Sequence, residues 1–306
     1  MNSLLALLCV SLFSLTVPTT RIATQVFDPI AVTLFRLIGA GVVCAVSTGF
    51  FDRWVPPRRI WGGLIATSIG SVCGFSILIA LAMKRVPGIH GAIALAALPA
   101  VTAVTAVTAV YASLRDGKNP GLRFWSFCAL GTTLSFGFLL SRSGQGLRAG
   151  DWLLAGAVLT SAFGYVEGGR LSRQHGGKRV MSWAILLTFP FAVAVGAWLL
   201  RGSVIPLPGE SPAAWASVAY LALISQSLGM FLWFTVLARG PMARVALVQL
   251  VQPFLSILAS VLLLGETASP GTWVIAALIA LSVFGANQAR ETMMSENGES
   301  RGLSRG

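Results

Sequence analysis

What most constrains this chain is a succession of apolar runs, each close to the roughly 20 residues that a helix needs to cross the hydrocarbon of a bilayer. They span approximately residues 3–20, 30–51, 60–83, 88–113, 122–140, 151–169, 180–200, 213–238, 243–264 and 271–289, and the segments between them are too short for a soluble domain. In lipid every backbone N–H and C=O has to be satisfied inside the protein, so apolar runs of this length are predicted to be helices. Only 10% of the residues are charged, against about 25% in ordinary soluble domains. The expectation is an all-α integral membrane protein of ten transmembrane helices.

The formal charge of +12 does not point to nucleic acid, because the basic residues sit in short loops and form no stripe interleaved with aromatics. Their distribution sets an orientation instead, since Lys and Arg accumulate on the cytosolic side. With the N-terminus inside, fifteen of the 22 fall in inner loops or the tail, six in outer loops, and Arg36 inside a span. Both termini are therefore expected in the cytosol, and the membrane is expected to be a bacterial inner membrane. Eight of the nine tryptophans lie near expected span ends and Trp54 lies in a loop, as interfacial indoles do. The first run has no Lys or Arg before it and no A-x-A site after it, and is read as a span rather than a signal peptide. Residues 290–306 are polar and expected to be disordered. Cys9, Cys44, Cys73 and Cys128 lie in apolar runs and read as packing residues, while His90 and His175 are too far apart to build a zinc site. No cofactor or metal is expected.

An internal repeat organises the runs. Residues 82–99 and 236–253 align without gaps at an offset of 154, setting Pro87 on Pro241, Pro99 on Pro253, Arg85 on Arg239 and His90 on Arg244. The first segment leads into span 4 and the second into span 9, so the unit is five spans: 1–140 and 141–289, with 290–306 as the tail. An odd number of spans puts the two halves in opposite orientations, the inverted-repeat construction of many secondary transporters.

Together with that 5+5 frame, four features carry a resemblance: Arg36 early in span 2, prolines within spans 4 and 9, Leu264-Gly265-Glu266 ending span 9, and Gly150-Asp151-Trp152-Leu153 opening the second half. The chain resembles the EamA-type branch of the drug/metabolite transporter superfamily over nearly its whole length. It departs from that pattern at Tyr111-Ala112, which occupy the repeat-equivalent positions of Gly265-Glu266. The resemblance implies export or exchange of amino acids, related metabolites, sugars or drugs.

Polar side chains within spans are costly toward lipid and so usually face the bundle interior or a water-filled cavity. Ser225, Gln226 and Ser227 fall near the middle of span 8, and Gln249 and Gln252 near the middle of span 9. Of these Gln249, Gln252, Gln226 and Ser225, together with Arg36 and Tyr165, are the candidate substrate contacts; the alternative is interhelical hydrogen bonding. Pro99 and Pro253 are candidate hinges that shape a cavity, against a static kink. Glu167 and His90 are candidates for proton coupling, although Glu167 precedes Arg170 by the three residues that suit a helical ion pair. Thr102, Thr105 and Thr108 read as packing residues. No H-E-x-x-H, G-x-S-x-G or P-loop occurs, so no catalytic residue is assigned and transport would draw on a solute or ion gradient. The chain is expected to export small polar metabolites such as amino acids by alternating access, with a small-molecule substrate and the lipid bilayer as partners, as a monomer or a homodimer. The competing reading is a non-transporting membrane scaffold or receptor.

Overall fold

A computed structural model describes residues 2–52, 54–98, 101, 121–143, 148–201, 211–239 and 248–303. Its helices are α1 (Leu4–Val26), α2 (Pro29–Gly49) and α3 (Arg58–Met83), followed by α4 (Gly88–Ala96), α5 (Gly121–Ser143), α6 (Ala149–His175) and α7 (Gly177–Arg201). Then come α8 (Pro212–Ala238), α9 (Gln252–Leu264) and α10 (Pro270–Leu303). Among them α1, α2, α3, α7 and α8 are long and apolar enough to cross a membrane. α10 carries on through the polar tail as far as Leu303 instead of ending near residue 289. From Asn287 to Glu296 the tail has neither Gly nor Pro and is rich in helix-forming Gln, Ala, Arg, Glu and Met.

Several helix ends are written in the sequence. The Asp28 carboxylate accepts from the Ile30 N–H at 2.8 Å, and Pro29 follows where its missing N–H costs nothing. Asp151 reaches back to the Arg148 N–H at 2.9 Å, so the Gly-Asp motif of the second half is the start of α6. Gly265 closes α9 in the left-handed conformation, φ +66°, with its N–H on the Val261 carbonyl.

Apolar side chains gain little by leaving lipid for protein, so membrane helices are held by close packing of small residues. α3 and α6 meet in this way: Gly63 lies beside Leu171, Gly70 beside Gly164 and Leu78 beside Gly156. The residue numbers rise on one helix as they fall on the other, so the pair is antiparallel. A Cβ on Gly164 would lie 2.4 Å from the Ser71 nitrogen, and one on Gly70 would lie 2.6 Å from the Thr160 carbonyl oxygen. Antiparallel pairing recurs where α2 meets α7 (Gly41 on Phe189, Ile38 on Gly196) and where α5 meets α10 (Gly131 on Ser282, Phe127 on Gly285).

The polar ends segregate. At one end Arg179 pairs with Asp52 at 2.7 and 3.2 Å and lies over the Trp54 ring, while the Trp183 indole donates to the Trp54 carbonyl at 2.9 Å. The Arg179 hydrogen bond holds the Asp52 carboxyl below the usual carboxylate range. At the other end Lys84 donates to the Thr24 carbonyl at 2.8 Å, Arg21 donates to that of Met83, and Phe27 packs edge-on against Trp215. These two groups are the ones that the loop charges divide between faces. Trp233 departs from the interfacial expectation: it is only 2% exposed and packs between Phe13 and Tyr165 in the interior.

Replacing Gly164 with Val forces the α3 and α6 backbones apart. The expected outcome is a loss of about 1–3 kcal/mol in thermal or denaturant unfolding in detergent micelles, whereas Gly137→Ala, where a Cβ meets open space, leaves stability within error. Equal stability of Gly164→Val and wild type would contradict the close α3–α6 contact.

Candidate substrate-binding site

Halfway along α8 the helix widens to i→i+5 turns over Tyr220–Gly229, and α3 does the same over Ser68–Gly74. The 154-residue offset carries 68–74 onto 222–228, inside the widened part of α8. Such turns add a residue without breaking the helix, re-aim the side chains that follow, and are frequent at functional sites. In α8 the residues so displaced are Ser225, Gln226 and Ser227.

Gln226 (0% exposed) turns toward α2 and meets Arg36 (3% exposed). The Arg36 Nε–H donates to Gln226 Oε1 at 2.8 Å, and Arg36 Nη2 donates to Ser225 Oγ at 3.4 Å. Ser76 of α3 donates to the Val72 carbonyl and, at 3.4 Å, to the same Gln226 oxygen. Thr16 of α1 shares a 2.9 Å hydrogen bond with the Ser225 hydroxyl. The guanidinium also lies 5.8 Å from the centre of the Phe75 ring. Four helices thus converge on one buried polar cluster, about two turns into α2. Arg36, Gln226 and Ser225 are three of the side chains the sequence nominated. Tyr165 of α6 is near, packed on Trp233 and Phe234 and within electrostatic range of Arg36. Ser227 bonds back to its own helix at Ala222.

Gln249 and Gln252 lie elsewhere, on α9 and the turn before it. With Ala92, Leu95, Ala96, Pro253 and Ser256 they line a cavity of about 10 Å³ between α4 and α9, close to the smallest space that holds one water. Ser14 of α1 donates to the Gln252 carbonyl at 3.3 Å. α1 therefore contacts both groups, Ser14 on the α9 side and Thr16 on the α8 side.

Pro253 acts differently from a mid-helix kink. α9 begins at Gln252 after a turn at 250–251, so Pro253 occupies its first helical turn, where the absent N–H would be unsatisfied anyway. The turn itself is tightened by an i→i+3 bond, Val251 N–H to the Val248 carbonyl at 3.2 Å. α4 ends with the same bond 154 residues earlier, Ala97 N–H to the Ala94 carbonyl at 3.2 Å. Pro99 itself lies outside the described residues. Pro253 has no N–H to offer the carbonyl four residues earlier, that of Gln249, which is one of the residues on the small cavity.

The proton-coupling candidates lie at opposite ends. Glu167 pairs with Arg170 at 2.8 Å at the Asp52–Arg179 end of the bundle. His90 lies at the other end, its ring 5.7 Å from that of Phe138, in a cavity of about 390 Å³ lined also by Glu266. Sequence reasoning missed what Glu266 does there. Its two carboxylate oxygens accept the N–H groups of Gly88 and Ile89, at 2.6 and 2.8 Å, capping α4 from the end of α9. The signal was present in Leu-Gly-Glu: the left-handed glycine turns the chain so that the next residue faces α4. Gly88 permits the approach, because a Cβ there would lie 2.6 Å from Leu264 Cδ1.

Comparison with known proteins agrees with this architecture. The EamA-like transporter family matches residues 148–288. An "Uncharacterized transporter YdeK" of Bacillus subtilis (strain 168) is 34% identical over 259 residues, 84% of this chain and 86% of that protein. The chain belongs to the EamA-like transporter family. A crystal structure of a protein 18% identical in sequence superposes on 94% of this chain and 98% of its own, with a TM-score of 0.63, and so shares the fold. Like other EamA-like transporters, this is a multi-pass membrane protein with several apolar helices.

Removing the Glu266 cap tests its structural weight. Glu266→Ala is expected to cost about 1–2 kcal/mol in thermal unfolding, and Glu266→Gln, which keeps one acceptor, is expected to cost less. An unchanged midpoint for Glu266→Ala would contradict the cap.

Proposed function

We propose that this chain is a secondary transporter that exports small polar metabolites, amino acids or related compounds among them, by alternating access between two inverted five-helix halves. It lies in the bacterial inner membrane with both termini cytosolic. One observation carries the reading: a buried cluster of Arg36, Gln226, Ser225, Ser76 and Thr16 joins α1, α2 and α3 of the first half to α8 of the second. A non-transporting scaffold has no use for a guanidinium that costs about 2.5–3.5 kcal/mol to bury at the centre of a membrane helix. A transporter does, because its cargo has to find partners midway.

The packing supports the inverted halves. Advancing each helix by five, with the second half returning to the first, turns the α3–α6 contact into α8–α1, α2–α3 into α7–α8, and α1–α9 into α6–α4, all of which are made. The contacts α2–α7, α4–α9 and α5–α10 map onto themselves. A two-fold axis in the membrane plane has this property. The matching turns before Pro99 and Pro253 and the matching wide turns of α3 and α8 follow the same offset. In this reading Pro99 and Pro253 mark the hinges, Gln249 and Gln252 line the cargo's path, and Glu266 fastens the outer ends of α4 and α9 until that side opens. Tyr165 closes the cluster from α6. Glu167 and His90 are the groups through which a proton gradient would act.

Flux in proteoliposomes tests this. Loaded with a panel of labelled amino acids and hydroxy acids, wild type is expected to release at least one. The Gln249→Ala/Gln252→Ala variant, folded by size exclusion, is expected to release it about five- to tenfold more slowly, as befits loss of polar contacts worth ~1–1.5 kcal/mol. Unchanged flux would remove these two residues from the path, and no flux of any compound by wild type would contradict transport.

A further inference from the structure

The cluster around Arg36 has more donors than acceptors. A guanidinium carries five N–H groups, and among the described residues Arg36 donates two of them, to Gln226 and Ser225. Gln226 Nε2 is buried and has no hydrogen-bond partner among the described residues. The amide cannot flip to relieve this, because Arg36 Nε–H donates to its oxygen and a flip would set Nε2 against that donor. The ion pairs among the described residues, Arg170–Glu167 and Arg179–Asp52, do not involve Arg36. Every Asp and Glu of the sequence falls at the end of an apolar run or outside the runs, and among the described residues none pairs with it. A buried donor without an acceptor is costly, and a buried charge without a counterion more so.

We propose that the group recognised here is a carboxylate of the cargo, accepting from the remaining N–H groups of Arg36 and from Gln226 Nε2. This rests on reading the cluster as the cargo site. The charge count narrows the class: Arg36 is the one cation of the cluster, so a single carboxylate leaves it neutral in lipid, whereas a phosphate dianion or a dicarboxylate leaves excess charge. The flat fork of the guanidinium matches the two oxygens of a carboxylate. Simple monocarboxylates meet that count alone; a zwitterionic amino acid carries the same group and also brings an ammonium, which would need an acceptor of its own.

Thermal unfolding of the purified full chain in nanodiscs tests the proposal with alanine, leucine, phenylalanine, lactate and phenyllactate, each set against its own primary amide. At least one acid is expected to raise the midpoint with concentration while its amide does not. A response to amino acids alone identifies a zwitterion, and a response to hydroxy acids a simple anion. Arg36→Lys is expected to weaken that acid about tenfold or more, as loss of a charge-assisted fork implies, and Arg36→Gln to abolish the response. Gln226→Glu is independent of whether the Arg36 variants fold: it supplies an internal carboxylate, so the ligand-free midpoint rises and the acid response disappears. The proposal is overturned if no acid stabilises wild type, if an amide does so as well as its acid, or if Gln226→Glu binds the acid as wild type does. Wild-type flux of an amide, unaffected by Arg36→Gln, would sink the carboxylate assignment and leave transport standing. Acid binding without flux would do the reverse.

Discussion

A guanidinium buried two turns into a membrane helix is the constraint around which this bundle is organised. It cannot be left bare in lipid, and helices from both halves contribute to its surroundings: the Gln226 amide and Ser225 hydroxyl from α8, the Phe75 ring and Ser76 from α3, and Thr16 through Ser225. Gln226, which meets it, lies in the locally widened stretch of α8. Arg36 therefore ties α2 to α8 with interactions that are polar, directional and incompletely satisfied. In the proposed transport cycle a fully satisfied network would lock these helices together, and an apolar contact would not draw in a polar cargo.

The 154-residue repeat carries a shared plan but not every detail. The turns that precede Pro99 and Pro253, and the wide turns of α3 and α8, recur at one offset. The Glu266 cap does not, because the equivalent positions of the first half hold Tyr111 and Ala112. One end of the α4–α9 pair thus has a carboxylate fastening that the sequence denies to its counterpart. In an alternating-access cycle such an asymmetry biases which side stays closed at rest, and the bias is set by the difference in free energy between the two states.

Much of the fold was legible in the sequence. In lipid, length and hydropathy alone mark helices, and every helix described overlaps an apolar run. The sidedness of loop charges anticipated which basic groups share an end, as Arg21 with Lys84. The site was legible only in part. Arg36, Ser225 and Gln226 stood out as polar groups inside apolar runs, but that they meet depends on a wide turn with no simple sequence mark. Gln249 and Gln252 carried the same signal yet belong to the α4–α9 contact, because polarity within a span does not say which neighbour it faces. Trp233 looked interfacial by position and is internal, and the tail, polar enough to suggest disorder, is helical through its Glu, Arg and Met residues. Glu266 was visible as a motif, whereas its partners were not, being 177 and 178 residues away.

The central claim is that one polar cluster is reached from either face of the membrane in turn. With Cys9, Cys44, Cys73 and Cys128 replaced by Ala and Ser225 replaced by Cys, a membrane-impermeant thiol reagent applied separately to right-side-out and inside-out vesicles measures this directly. The account predicts labelling from both sides, slowed in each case by a transported carboxylate. Labelling from one side only, or from neither, would contradict it.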